Sequence, residues 1–415
     1  MTVERGAVAA AWWRAKWARL TLATRRDIER RQAQLWLDMA PVVAKTPAVA
    51  HLADRRLADF PVVTPSELRA GFERWNTLGV NREQAESAAA DAESGGSGEV
   101  APGVAAGFST GSSGERGVFL SSAAERARYL GLTLARLLPA TALLRPRKIA
   151  LVLRADNRLY RDIERAGAFR FRFFALAMDS GERAEALAKF DPGVLIGPAH
   201  VLADLARRAE AGGFFLPWLD RLFWGAEPMG AAERDWIGEA LGVRPDPIYQ
   251  ATEGFLGAPC SEGVLHLNED ALIVEREAVE GTGAFRPVVT DLHRTSQPMI
   301  RVRLDDLLEP IGGRCACGSP LQAVRPVEGR ISDLWRWGDR LVRPAEVWSA
   351  VEAAVGPRAD WVAEASPEGV VLRVEGDGEA ARAALQSLVG HRPVRLAAGT
   401  PPQDGPKRRR VRWRS

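Results

Sequence analysis

The chain's three cysteines, Cys260, Cys315 and Cys317, fall in one stretch, and five residues separate His266 from the first of them. Three thiols and one imidazole make a complete tetrahedral Cys3His set for Zn2+, and such a closed set is structural, because no coordination position stays open for chemistry. Cys315-Ala316-Cys317-Gly318 supplies a tight turn able to aim two sulfurs at one metal. Disulfides are not expected in a reducing compartment, so the competing reading is a set of buried, unlinked thiols.

A second constellation is the run Ser109-Thr110-Gly111-Ser112-Ser113-Gly114. Hydroxyls and permissive glycines together can wrap a polyphosphate with O–H and backbone N–H donors. The Walker spacing and its lysine are missing. Gly107-Phe108-Ser109-Thr110-Gly111 also fits the GxSxG nucleophile elbow, with Ser109 as nucleophile, although Pro102-Gly103 stands where a buried strand should lead in. A plain structural loop is the third reading. Gly225-Ala226-Glu227-Pro228 and Tyr249-Gln250-Ala251-Thr252-Glu253-Gly254 lie where strands should end, the usual ligand edge of an open α/β sheet. Either alone reads equally as a strand-to-helix turn, and Asp305-Asp306 after Ile300–Leu304 reads alone as a solvated turn. His200 and His293 have no partner visible in the sequence.

The elements that must position these residues follow from the texture of the 415-residue chain. At 46% hydrophobic and 26% charged it is a globular protein, which excludes disorder as the dominant state. Fifty-six Lys and Arg against fifty-three Asp and Glu leave a net charge of +3, too small for a general nucleic-acid or anionic-membrane binder. No apolar run is long enough to span a bilayer and the N-terminus lacks a signal h-region, so a cytoplasmic protein without membrane insertion is expected.

Trp12, Leu20, Ile28 and Leu35 predict one amphipathic helix from Ala11 to Ala40, its tryptophans packed on the body rather than on a membrane. Helices are predicted over 65–75 and 81–93, and the Gly/Ser-rich stretch 94–117 as a functional loop. From 122 to 241 helices alternate with the strand-like segments KIALVLRA, FRFFAL, VLIG and RLFWG, which argues for α/β architecture with parallel pairing. A β-rich part spans 258–325, and a boundary near Gly329 separates a large N-terminal domain, 1–329, from a small α+β module, 330–415. The last residues, Lys407 to Ser415, hold six basic side chains and read as a solvated tail or the edge of a lid.

In this order the motifs resemble the adenylate-forming superfamily of acyl-CoA synthetases, and within it the phenylacetate-CoA ligase and coenzyme F synthetase-related branch. The resemblance implies that Ser109 to Gly114 bind phosphate and that Ala226, Glu227 and Pro228 flank adenine. It implies that Tyr249 stacks on adenine, Thr252 approaches the phosphates, Glu253 holds Mg2+ and Asp306 grips the ribose. Arg330 matches the arginine at the junction to a mobile C-terminal lid, and Lys407 the lysine that reaches the α-phosphate and carboxylate. Similar Cys and His positions in that branch imply a structural zinc. Gln250, Arg116, Ser332 and Gly338 depart from the family pattern.

The expected function is ATP-dependent adenylation of a carboxylic acid, aromatic by resemblance, to acyl-AMP and pyrophosphate, followed by transfer to CoA or a carrier-protein thiol. Its cofactors are ATP, Mg2+ and structural Zn2+. The alternatives are nucleotidyl transfer to a cofactor hydroxyl, serine hydrolysis through Ser109, and nucleotide binding without turnover. Phe223 and Trp224 are expected as apolar walls of the substrate pocket, and nucleic acid is not an expected partner.

Overall fold

The apolar segments read as parallel strands do form one sheet, in a computed structural model that describes residues 5–108, 117–143, 147–153, 170–399 and 408–414. Its order is Arg170–Ala175, Lys148–Leu153, Val194–Pro198, Arg221–Gly225 and Pro245–Pro247, with every pairing parallel. Pro245–Pro247, an edge strand between two prolines, was not expected from the sequence. The helix expected between the first two strands in sequence lies outside the described residues.

Both faces of the sheet are covered, as parallel sheets require. On one, helix Ala199–Glu210 buries Val201, Leu202, Leu205 and Ala206 beside helices Ser180–Phe190 and Ala231–Leu241. On the other, Ala123–Leu137 and Arg5–Thr21 enclose Ile149, Val194 and Phe223 with Trp12, Leu130 and Leu134. Burying one such Leu or Phe contributes about 1.5–3 kcal/mol.

The single helix expected over 11–40 is two, Arg5–Thr21 and Arg25–Asp38. Thr24 caps the second through a reciprocal box with Asp27, and this break shifts the helical phase. Trp12 and Ile28 remain buried, whereas Leu20 is turned to solvent at 78% exposure. The stretch read as a loop from 94 also holds two strands, Glu99–Ala101 and Val104–Phe108. Val104–Phe108 pairs antiparallel with Val118–Ser122. The chain therefore leaves 109–116 along a strand rather than a helix, which is not the strand-turn-helix frame of a nucleophile elbow.

The β-rich part holds two antiparallel sheets, one of Tyr249–Ala251, Gly254–Pro259, Leu265–Leu267 and Ala323–Val324, the other of Leu272–Val279, Ala284–Asp291 and Val302–Arg303. Beyond Asp333 the chain builds a separate core of Trp335, Trp348, Trp361, Leu372 and Leu385 between helices Pro344–Val355 and Glu379–Val389 and a four-stranded sheet. Three of its strands, Trp361–Ser366, Val394–Leu396 and Val411–Trp413, were not anticipated. The last of these corrects the reading of a solvated tail: it is an edge strand of the sheet, and Arg410 just before it is 6% exposed.

Candidate functional site

A cleft of about 700 Å3 opens where strands Val194–Pro198 and Arg221–Gly225 end. The C-terminal segment Arg408–Val411 forms part of its wall. At the end of Arg221–Gly225 the backbone enters the left-handed region at Ala226 (φ 73°), an uncommon conformation for a side chain with a Cβ. Glu227 is buried just after it. Its Oε1 accepts from the backbone N–H and Nδ1 of His200, each at 2.7 Å, and its Oε2 accepts from the backbone N–H of Arg408 at 2.7 Å. Burial opposes ionisation of Glu227, but the hydrogen bond and charge of His200, aided by the two backbone donors, hold its carboxyl below the usual range.

The turn between Tyr249–Ala251 and Gly254–Pro259 supplies the facing wall. Tyr249 donates its phenol hydrogen to Asp306 Oδ2 at 2.7 Å. Burial, then the Asp306 charge, pushes this phenol well above its ordinary value, so it remains a donor throughout the neutral range. Glu253 is 8% exposed and faces the cleft, while Arg294 Nη1 fixes the turn by donating to the Thr252 carbonyl at 3.0 Å. Asp306 pairs with Arg330 in an isolated antiparallel bridge. Beside it, Ser332 donates to Asp305 Oδ2 at 2.6 Å. Ser332 thus ties the segment after Arg330 to the Asp305-Asp306 turn.

Three consecutive arginines beside this wall are ion-paired, the first two within the C-terminal part and the third across to the large one. Arg408 pairs with Asp360, Arg409 with Asp333, and Arg410 with Glu233 at 2.9 Å. The last pair is almost wholly buried, with the guanidinium stacked over Trp348 and Trp361 at 4.9 and 5.7 Å from the ring centroids. Burial pushes Glu233 up despite its partner, and burial followed by the Glu233 charge pushes Glu352 up to about 7. The folded-state value of Glu352 thus lies above its unfolded one, so the folded chain holds an extra proton and stability falls as pH rises from about 4.5 to 7. Glu352→Gln is expected to raise the unfolding free energy at pH 8 by about 2–3 kcal/mol and to leave it unchanged near pH 4. Denaturant titrations of both proteins at the two pH values check this.

Of the residues singled out in the sequence, Ala226, Glu227, Pro228, Tyr249, Thr252, Glu253, Asp306 and Arg330 all line this one cleft. Ser109, Thr110, Gly111, Ser112, Ser113, Gly114 and Lys407 lie outside the described residues, although their chain neighbours Phe108 and Arg408 line the same cleft. Trp224 lines it as expected. Phe223 does not: strand alternation turns it to the opposite face, into the core with Trp12 and Leu134.

Sequence reasoning missed His200, the arginine run and a cluster at the far wall. There Arg128 Nη2 lies 2.6 Å from His293 Nε2. Burial, then the charges of Arg128 and Arg31, depress His293 to about 2, so the ring is neutral and its Nε2 accepts from Arg128. No local signal pairs His200 with Glu227 or His293 with Arg128, because each pair meets only through the fold.

Cys260, His266, Cys315 and Cys317 also converge, away from the cleft, with their ligand atoms within 4.8 Å of one another. Cys260 Sγ is 3.9 Å from Cys315 Sγ, and Cys317 Sγ is 3.5 Å from His266 Nε2. His266 Nδ1 donates to the Leu321 carbonyl at 2.9 Å, which leaves the Nε2 lone pair facing the thiols. The backbone N–H groups of Glu262 and Ser319 point at Cys260 Sγ and Cys317 Sγ, at 3.4 and 3.5 Å.

No family model matches the sequence, and no curated protein matches it. Solved structures do match it. A 2-hydroxyisobutyryl-CoA ligase in the postadenylation state, in complex with 2-HIB-AMP, is 21% identical, with 92% of this chain and 88% of that one covered and a TM-score of 0.66. The same ligase in complex with 2-HIB-AMP and CoA in the thioesterification state is 20% identical over 93% of this chain and 88% of that one, at a TM-score of 0.54. An acyl acid amido synthetase in complex with 2,4-DB is 12% identical over 93% of this chain and 84% of that one, at 0.57. The chain therefore has the adenylate-forming fold, a large N-terminal α/β part with a small C-terminal one, as the ordered motifs led us to expect.

Proposed function

We propose that this chain, having the fold of adenylate-forming ligases, activates a carboxylic acid with ATP and passes the acyl group to a thiol. The observation that carries this reading is the convergence of Tyr249, Thr252, Glu253, Asp306 and Arg330 on one cleft. In the first half reaction an oxygen of the acid attacks the α-phosphorus as the bond to the β-phosphate breaks, giving acyl-AMP and pyrophosphate. In the second a thiol, that of CoA or of a carrier protein, attacks the carbonyl carbon and AMP departs.

The adenosine is held by Tyr249 and by the Ala226-Glu227-Pro228 wall, with Asp306 accepting from the ribose hydroxyls. Thr252 and the run Ser109 to Gly114 bind phosphate. Glu253, a buried hard-oxygen donor on the cleft wall, suits Mg2+, which supplies charge neutralisation at the phosphates. Lys407, adjacent in sequence to the cleft-lining Arg408, is the cation for the developing charge at the α-phosphate, and the lid begins at Arg330. The better match to a postadenylation structure than to a thioesterification one supports an arrangement suited to the first half reaction. Phe108, Phe119, Tyr129 and Trp224 on the cleft walls favour an aromatic acid. Incubation with ATP, Mg2+, an aryl acid and hydroxylamine is expected to yield the acyl hydroxamate, AMP and pyrophosphate. AMP recovered on a hydroxyl acceptor, with no hydroxamate, would instead identify nucleotidyl transfer.

The Cys3His cluster fits a structural Zn2+, because its donor set is complete, the imidazole is fixed in the tautomer a ligand needs, and two amides point at the thiolates. Bound there, zinc would fasten the loop holding Cys315 and Cys317 to the hairpin holding Cys260 and His266. Protein purified without chelator is expected to contain about one zinc equivalent, and Cys317→Ser to lower both metal content and melting temperature. A content below about 0.5 equivalents counts against the site.

A further inference from the structure

Helix Arg5–Thr21 is apolar on two opposite sides. Trp12, Ala15 and Ala18 are buried on one, against helix Ala123–Leu137. At 100° per residue, Gly6, Ala9, Ala10, Trp13, Trp17 and Leu20 form a stripe diametrically opposite, free of charge and open to solvent. Trp13, Trp17 and Leu20 are 59, 67 and 78% exposed. Arg14 borders the stripe on one side and Lys16 on the other, and the helix contains no acidic residue. A folded protein gains nothing from three large apolar side chains displayed in a row unless something covers them.

A second element presents the same chemistry at the same end of the molecule. The segment between helix Ala199–Glu210 and strand Arg221–Gly225 holds Phe215 and Trp218, 75 and 74% exposed. It leads into the start of that strand, whose other end, at Gly225, lines the cleft. Helix Arg5–Thr21 reaches this starting end too, since Trp12 packs with Ile149 and Val194, and Lys16 donates to the Leu138 carbonyl at 2.6 Å. Five of the eight large apolar side chains exposed among the described residues thus stand on two elements that meet this end of the sheet. Lys148, Arg170 and Arg221 begin strands there, with Arg147 just before the first; of the acids beside them, Asp191, Asp220 and Asp246, Asp220 is ion-paired with Arg147 and Asp246 with Arg234. The crowding of positive charge is felt by Lys16, lowered to about 8 by burial and then by Arg19, Arg136 and Arg221.

We propose that this end of the protein docks on an anionic phospholipid surface, with Trp13, Trp17, Leu20, Phe215 and Trp218 in the headgroup layer and the cleft facing the aqueous side. Tryptophan and leucine beside Arg and Lys is the composition of interfacial elements, and a local positive face suffices for attraction although the whole chain is nearly neutral. Side chains this exposed project outward instead of lining a groove, which suits a soft headgroup layer. The inference does not depend on the reaction proposed above.

The test is sedimentation of the full-length protein with vesicles of phosphatidylcholine alone or mixed with phosphatidylglycerol. The protein is expected to sediment with the mixed vesicles only and to be released by added NaCl. Trp13→Ser/Trp17→Ser is expected to weaken partitioning by about tenfold or more, and Phe215→Ser/Trp218→Ser likewise, at unchanged melting temperature. Wild-type protein that stays in the supernatant with the mixed vesicles, or a double variant that binds as well as wild type, overturns the proposal. So does a wild-type dimer that becomes a monomer in the Trp13→Ser/Trp17→Ser variant without vesicle binding in either, which would assign the stripe to a second copy of the chain.

Discussion

Alanine at Asp306 is expected to lower kcat/KM for acyl-adenylate formation by a factor on the order of 10²–10³, the loss of two hydrogen bonds to a charged acceptor. The carboxylate has two tasks, however: it accepts from Tyr249 in the structure, and in the proposed reaction from the ribose. Two further variants separate them. Tyr249→Phe removes the phenol and keeps the carboxylate, and is expected to cost only about tenfold. Asp306→Asn keeps an acceptor for Tyr249 and is expected to fall between the two. Should Tyr249→Phe cost as much as Asp306→Ala, the aspartate merely positions the tyrosine.

The second large effect concerns stability. Arg410→Ala is expected to destabilise the protein by about 3–5 kcal/mol, because it strands the carboxylate of Glu233 in a site where Glu233 is 1% and Arg410 6% exposed. The stacking on Trp348 and Trp361 is lost as well. Since burial already pushes Glu233 up, it will take a proton once the arginine is gone, which caps the cost and makes the variant relatively less impaired at low pH. Arg410→Met/Glu233→Gln, which removes both charges while keeping side-chain volume, is expected to recover most of the loss. Arg410 joins the edge strand of the C-terminal sheet to helix Ala231–Leu241. Limited proteolysis of Arg410→Ala should therefore cut first near the junction around Arg330, before the core of the large part opens.

Much of this arrangement is legible in the sequence because it is local. Parallel strands buried on both faces read as short apolar runs between helical stretches, and the residues at their ends read as turns, so the α/β core and the edge of the sheet that borders the cleft both emerge. Cys260, His266, Cys315 and Cys317 are recognisable because the chain has no other cysteine to choose from. The break at Thr24 has a signal too, the Thr24-x-x-Asp27 box, but helical periodicity on both sides hides it.

What escapes is the long-range electrostatics. Arg408, Arg409 and Arg410 look like a solvated tail until the fold brings Asp360, Asp333 and Glu233 to them. His200 looks idle until a left-handed Ala226 turns Glu227 inward. Strand Trp361–Ser366 is missed because it is buried along its length, so the alternation that marks a half-exposed strand is absent.

The most direct test of the central claim is ATP–pyrophosphate exchange with Mg2+ across a panel of aryl and aliphatic acids, for the wild type and for Asp306→Ala and Lys407→Ala. The account predicts exchange that depends on one class of acid, strongest for aryl acids, and collapses in both variants. Exchange that no acid stimulates, in protein that still binds ATP, would contradict it.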